Sequence, residues 1–258
     1  MEPEKQVAVV TGGAGGLGRG IVEELLQQGF HVAATDISRE GLACFKTSEF
    51  SEKLKCFALD VGDLESVKKA SAEISRAFPL PVTVLVNNAG LFCRHPVTKA
   101  DFSETAQHIL QTNLLGAFYC TEVFSKSMIS ANFGRIINIA SIAGIYGAGH
   151  ASAYAASKAG LIAASKSWAR ELSPFGINVN VIAPGIFQTS MTEQENLPRV
   201  QAQKLMLQQV PVRRFGDPDD VGELVVFLAT CRTNYIQGTV IEIDGGIHVA
   251  GVEGIQEL

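Results

Sequence analysis

The chain has 258 residues, of which 47% are apolar and 18% charged, a length and balance that suit one compact α/β unit and exclude extended disorder. A net charge of −5, a pI near 5.6 and the lack of any basic cluster exclude nucleic acid as a partner. No apolar run approaches the roughly 18 residues needed to span a bilayer, and the first residues carry no signal-peptide pattern; the scattered Cys44, Cys56, Cys93, Cys120 and Cys231 read as reduced thiols of a cytoplasmic protein without a structural zinc.

Short Val- and Ile-rich runs alternate with longer amphipathic stretches along the whole chain. The first run, Val7 to Val10, leads into Thr11-Gly12-Gly13-Ala14-Gly15-Gly16-Leu17-Gly18 and then an amphipathic stretch to Gln28. Strand, glycine turn and helix are expected in succession. The glycines permit a tight turn and close backbone approach, while the helix start offers unpaired N–H groups and partial positive charge. Gly12, Gly15, Gly16, Leu17 and Gly18 are therefore expected to face a dinucleotide pyrophosphate. The second strand, His31 to Thr35, ends at Asp36 and Ile37. A carboxylate there accepts both ribose hydroxyls and repels a 2′-phosphate, which points to NAD as cofactor. Arg39 reads as a solvated residue at a helix start.

The third strand, Lys55 to Leu59, runs into Asp60-Val61, and the fourth, Val82 to Val86, into Asn87-Asn88-Ala89-Gly90, with a helix expected over 63–78 between them. A long helix is expected over 101–130, a strand from Arg135 to Ala140 ending at Ser141, and a helix over 152–173 carrying Tyr154 and Lys158. The strand Asn178 to Ile182 leads into Ala183-Pro184-Gly185-Ile186. The polar, Gln-rich segment 186–211 reads as a substrate flap. Asp217-Pro218 reads as the cap and first residue of a helix over 218–230. Thr239 to Ile243 is the last strand, and the tail beyond Ile247 has no clear pattern. Seven strands separated mostly by helices predict a single doubly wound Rossmann-type domain over 1–258, its mainly parallel sheet covered on both faces.

A tyrosine and a lysine at i, i+4 share a helix face, a spacing common by chance. Ser141, thirteen residues before Tyr154, and Asn113 in the long preceding helix give the pair its weight. Removing a proton from an alcohol as its carbon loses a hydride requires a poised base. A tyrosine reference pKa of about 10 must fall by roughly three units to serve at neutral pH, which takes about 4 kcal/mol of differential stabilisation. Lys158 and the charge of oxidised nicotinamide favour the phenolate and supply it.

The turn spacing Gly12-x-x-x-Gly16-x-Gly18, the Asn87-Asn88-Ala89-Gly90 run and the set Asn113, Ser141, Tyr154 and Lys158 together resemble the short-chain dehydrogenase/reductase family, over nearly the whole chain from Thr11 to Gly246. The resemblance implies a catalytic tetrad of Asn113, Ser141, Tyr154 and Lys158, in which Tyr154 is the acid/base, Ser141 donates to the substrate oxygen and Asn113 holds a water linking Lys158 to solvent. It implies that Asp60 and Val61 flank the adenine and that Asn87, Ala89 and Gly90 approach the adenosine side or brace the central strand. It also implies that Pro184, Gly185, Ile186 and Thr189 lie beside the nicotinamide carboxamide. A small-molecule alcohol or ketone is the expected substrate, with contacts expected from the stretches Leu91 to His95, Ala143 to His150 and Phe187 to Met206, Arg94, Ala143, His150, Phe187, Met191 and Met206 among them. A homotetramer is implied as well.

Within that family the chain is similar to acyl-carrier-protein ketoreductases, but Asp36 is of the NAD type, and Ser130-Ala131-Asn132-Phe133 and Ser173-Pro174-Phe175 lack the cations that an acidic carrier requires. An epimerase or dehydratase of related fold would carry a longer region after Gly185. A dinucleotide-sensing binding protein would not need Ser141, Tyr154 and Lys158 together.

Overall fold

In the computed structural model, which describes residues 2–47, 50, 52–187 and 207–249, seven strands form one sheet. They are β1 (Val7–Thr11), β2 (His31–Asp36), β3 (Leu54–Ala58), β4 (Val82–Asn87), β5 (Gly134–Ile139), β6 (Ile177–Pro184) and β7 (Val240–Ile243). Their order is β3-β2-β1-β4-β5-β6-β7, and every neighbouring pair is parallel, so the sheet is wholly rather than mainly parallel. After β3 the chain returns to place β4 on the other side of β1. That reversal opens a crevice at the carboxyl ends of β1 and β4, where ligands bind in such sheets.

The helices are α1 (Gly16–Gln27), α2 (Arg39–Leu42), α3 (Leu64–Ala77), α4 (Phe102–Leu110), α5 (Gly116–Ala131), α6 (Ala143–Tyr146), α7 (Ser152–Leu172) and α8 (Pro218–Thr230). Alternation along β1 explains how they layer. Val7 and Val9 enter one core with Ile74 of α3, Phe124 of α5 and Leu161 of α7, whereas Ala8 and Val10 enter the other with Ile21 and Leu25 of α1 and Val225 of α8. With both faces buried, the strands need no polar side, which is why they read as unbroken Val, Ile and Ala runs. Fully buried side chains such as Ile21, Leu25 and Leu85 each contribute roughly 2 kcal/mol through the area removed from water.

Two local features depart from the sequence expectation. The helix expected over 101–130 is interrupted by a π-helical turn, Gln111–Leu115, between α4 and α5. Such a turn inserts one extra residue and re-aims the side chains within it, and here it carries Asn113 into the interior. The short helix α6 was also not anticipated, whereas α2 does start at the exposed Arg39, where the Ser38 hydroxyl accepts the Gly41 N–H at 3.0 Å. Pro218 does open α8, and the Asp217 N–H donates to Asp220 Oδ2 at 2.8 Å. Most of the flap expected over 186–211, including Thr189, Met191 and Met206, lies outside the described residues, as does the tail after Val249. No helix among the described residues is long and apolar enough to cross a membrane.

Candidate active site

The glycine turn joins β1 to α1 at the crevice. Gly12 has φ +64°, and a Cβ there would approach Ala89 Cα to 2.8 Å; a Cβ on Gly18 would approach the Gly12 carbonyl oxygen to 2.0 Å. The backbone therefore closes this tightly only because side chains are absent. Gly15, exposed and extended, has open space before it, and α1 begins at Gly16 with Leu17 half-buried behind. A bare backbone turn at an open helix start fits a dinucleotide pyrophosphate.

Two side chains not counted among the site residues hold this turn in place. Thr11 Oγ1 accepts the N–H groups of Asn88 and Ala89 at 3.0 Å each, and Asn88 Nδ2 donates to the Thr11 and Gly12 carbonyls at 2.9 and 3.0 Å. A polar residue at the end of an otherwise apolar strand was the available signal for Thr11. Of the two roles expected for Asn87, its bonds are those of a strand brace: its Nδ2 donates to Thr121 Oγ1 at 3.2 Å and Asn138 Oδ1 at 2.8 Å. It braces β4 against β5.

Asp36 is half-buried at the end of β2. Its two oxygens accept the Ala14 N–H at 3.1 Å and the Ser38 N–H at 2.9 Å, which fixes the carboxylate across from the turn while leaving lone pairs for hydroxyl donors. Ile37 is 71% exposed, and it lines, with Arg39, Asp60 and Lys69, a groove of about 670 Å³ beside the edge strand β3. Asp60 Oδ1 accepts the Gly62 N–H at 2.8 Å. Val61 is 7% exposed and packs where α5 starts, a Cβ on Gly116 coming within 2.8 Å of its side chain. On the far side of the crevice, Pro184 ends β6 buried, the Gly185 N–H donates to the Ile243 carbonyl at 2.9 Å, and the Ile186 carbonyl accepts from Gly216 at 3.0 Å.

Tyr154 and Lys158 rise from the first turns of α7, and the fold joins them to the ends of β4 and β5. Burial pushes the Tyr154 phenol above its ordinary pKa, and its hydrogen bond with Ser141 pulls part of the way back. Ser141 follows β5 and is itself fixed by the Ala143 N–H, which donates to its Oγ at 3.1 Å. Lys158 is 4% exposed; its Nζ lies 5.8 Å from the Tyr154 ring centroid and donates to the Ile139 carbonyl at 2.8 Å. Burial pulls the Lys158 ammonium down to about 8, since removal from water penalises the charged form. The protein by itself therefore raises the phenol that the chemistry needs lowered, because the first-ranking effect on Tyr154 is burial rather than charge.

Asn113 closes the group from below. Its Oδ1 accepts the Leu91 N–H at 2.7 Å, and its Nδ2 donates to the Leu91 carbonyl at 2.8 Å and to Ser157 Oγ at 3.1 Å. Both amide hydrogens are thus committed to the protein, which fastens the chain after β4 onto α7. A Cβ on Gly90 would lie 3.3 Å from Lys158 Nζ and 3.4 Å from Asn113 Oδ1, so the backbone there runs close beside both side chains.

Among the expected substrate contacts, Arg94 and His150 are exposed, His150 with φ +61° just before α7, and Ala143 is half-buried at the start of α6. Phe187 is a correction. At 6% exposure it belongs to the core on the α1 and α8 face, its ring filling the space that a Cβ on Gly216 would occupy, because an isolated parallel bridge beyond the end of β6 sets Phe187 against Gly216. Within the stretch Leu91 to His95, expected to face substrate, the structure singles out Phe92, whose ring meets that of Tyr154 edge to face with centroids 4.9 Å apart. One group of metal-capable atoms exists among the described residues, Glu242, Asp244 and His248. There Asp244 already accepts the Gly246 and His248 N–H groups at 2.9 Å each, and the His248 ring lies 2.9 Å from it.

The short chain dehydrogenase family profile matches residues 6–199. The 3-oxoacyl-acyl-carrier-protein reductase of Thermotoga maritima is 37% identical over 249 residues, covering 96% of this chain and 99% of its own. The enzyme of that name from Escherichia coli is 35% identical, covering 96% and 100%. Among solved structures, levodione reductase superposes with a TM-score of 0.90 at 30% identity, covering 97% of this chain and 100% of that one. A Sinorhizobium meliloti protein assigned as a short-chain alcohol dehydrogenase superposes at 0.89 with 35% identity, covering 95% and 97%.

Proposed function

The chain belongs to the short-chain dehydrogenase/reductase family and is an oxidoreductase; from that premise we propose that it interconverts a secondary alcohol and its ketone with NAD as cofactor and Tyr154 as general acid/base. The observation that carries this reading is the placement of Tyr154 between Ser141 and Lys158 at the crevice that the glycine turn opens onto.

Gly12, Gly15, Gly16, Leu17 and Gly18 would hold the pyrophosphate, Asp36 the adenosine ribose, Ala89 and Gly90 the adenosine side, and Pro184, Gly185 and Ile186 the nicotinamide half. A nicotinamide dinucleotide bound there supplies the acceptor or donor of the hydride. Tyr154 takes the hydroxyl proton in oxidation; the O–H bonding pair becomes the second carbonyl bond as the carbon's C–H pair departs as hydride. In reduction it returns the proton. Ser141 donates to the substrate oxygen and holds it beside the phenol. The Lys158 ammonium, 5.8 Å from the ring, offsets the effect of burial by favouring the phenolate. Asn113 acts through Leu91 and Ser157 and is a positioning residue.

The Asp36 carboxylate supports NAD over NADP, since a 2′-phosphate beside it would place two anions together in a partly buried pocket. We assign the protein to the cytoplasm, and to a homotetramer in which α5 and α7 meet their copies: exposed Leu115, Phe118 and Ile129 lie on or beside α5, and Phe118 packs edge to face on Trp168 of α7.

A second reading, reduction of a 3-oxoacyl thioester, is favoured by the names of the 35–37% identical relatives. Asp36 and the absence of basic residues at 130–133 and 173–175 weigh against it. Purified protein with NAD or NADP and a panel of secondary alcohols, followed by absorbance of reduced nicotinamide, tests the first reading, and a 3-oxoacyl thioester with NADH or NADPH tests the second. Tyr154→Phe should abolish turnover in whichever arm is active; equal turnover by wild type and variant removes Tyr154 from the mechanism.

A further inference from the structure

We infer that Phe92 is a specificity-determining residue, an aromatic wall that selects alcohols and ketones carrying an apolar, flat substituent on the reacting carbon. The inference rests on Tyr154 as the acid/base. Phe92 meets the Tyr154 ring at 82° with centroids 4.9 Å apart, while Lys158 Nζ lies 5.8 Å from the same ring. A substrate oxygen placed on the phenol therefore brings one of its carbon substituents against Phe92.

The wall is fixed rather than free. Leu91, its neighbour, is bonded through both backbone groups to Asn113 at 2.7 and 2.8 Å. Three residues further on, His95 Nε2 lies 2.8 Å from Asp101 Oδ1, and its ring stacks on Phe102 with planes 8° apart. A half-buried aromatic ring in a segment anchored on both sides is pre-organised, so little ordering accompanies substrate entry.

Apolar surface is open on the neighbouring segments: Leu91, next to Phe92 in the chain, is 36% exposed, and Ile145 and Tyr146, on α6 just beyond Ser141, are 40% and 58% exposed. The Tyr146 hydroxyl is engaged by Glu242 Oε2 at 2.9 Å, so its ring rather than its polar end is available. A polyol placed there would lose hydration from several hydroxyls against rings that return no hydrogen bonds, whereas an aryl group would pack on them edge to face.

The test compares 1-phenylethanol with sorbitol in the wild type, Phe92→Ala, Phe92→Leu and Phe92→Tyr, with dinucleotide saturating. Wild type should prefer 1-phenylethanol at least tenfold in kcat/KM. Phe92→Ala should reduce that ratio at least fivefold, mainly through KM, as expected for lost contact with the substituent. Phe92→Leu, which keeps apolar bulk and guards against a collapsed loop, should fall between, and Phe92→Tyr should restore the ratio. An unmoved ratio in Phe92→Ala, or wild-type preference for sorbitol, overturns this inference and leaves the Tyr154 reading intact. Turnover of neither alcohol also overturns this inference, while the Tyr154 reading is decided by the wider alcohol panel and the thioester arm.

Discussion

The Lys158 ammonium donates to the Ile139 carbonyl at 2.8 Å, tying the start of α7 to the end of β5 through a cation almost wholly out of water. Burial lowers its pKa from 10.5 to about 8, so between those values the unfolded chain holds the proton more tightly than the native one. Native stability therefore rises as pH increases from about 8 to 10.5; below that window the buried ammonium lowers stability by a constant amount. Over the window the gain is about 3 kcal/mol. Lys158→Met should lose at least 10³ in kcat. Its Tm relative to wild type should be highest near pH 7 and should fall behind progressively above pH 8. Parallel Tm curves would show that the ammonium is not held in a desolvated state.

Asp36 carries two duties, bracing Ala14 and Ser38 and presenting a negative charge. Asp36→Asn keeps an acceptor but removes the charge. The ratio of kcat/KM for NADP over NAD should rise at least tenfold, with a loss of stability of about 1 kcal/mol from the weakened charge-assisted bonds, or roughly 2 °C in Tm for a chain of this size. An unchanged ratio assigns discrimination to another residue, with Arg39 the nearest basic side chain in the sequence.

Gly18→Ala places a methyl 2.0 Å from the Gly12 carbonyl oxygen, backbone that cannot move without reshaping the turn. The expected outcome is a loss of about 1–3 kcal/mol in stability from overpacking. Dinucleotide affinity, read by calorimetry, should weaken at least tenfold. Gly15→Ala is the control: nothing lies within 4 Å of the added carbon, so stability should hold.

Asn113→Ala removes three hydrogen bonds and leaves the Leu91 N–H and carbonyl without these partners. Stability should fall by about 2–3 kcal/mol, and kcat at least tenfold as the segment carrying Phe92 loosens. Asn113→Asp, which retains the acceptor for the Leu91 N–H but not the donors, should fall between. Full activity in both would remove the link between Asn113 and the reaction.

The thiols should separate sharply. Cys120 is fully buried and its pKa is pushed up to about 12 by burial, whereas Cys44, Cys56 and Cys93 are exposed. A maleimide reagent at neutral pH should label the exposed residues and spare Cys120 in the native protein. Rapid labelling of Cys120 before unfolding would contradict the packing beneath α5.

The sequence by itself determined the sheet and the glycine turn, because each rests on local chemistry, whereas the set Asn113, Ser141, Tyr154 and Lys158 was legible only through the family resemblance. Val7 to Val10 must be buried on both faces, Gly12 and Gly18 must be bare for the turn to close, and Pro218 can sit in a helix only near its start. Tyr154 and Lys158 share a face because 3.6 residues make a turn. What lay beyond local reading was decided between elements distant in the chain. The π-helical turn at Gln111–Leu115 exists in a stretch of ordinary helical pattern, and its place follows from what Asn113 bonds across 22 and 44 residues, Leu91 and Ser157. Asn87 turned inward because Thr121 and Asn138 offer partners there. Phe187 was drawn into the core by the space over Gly216. Phe92 against Tyr154 joins the loop after β4 to α7 across 62 positions, a contact that the tertiary structure alone creates, because hydrogen bonding and packing act through distance in space and leave no period along the sequence.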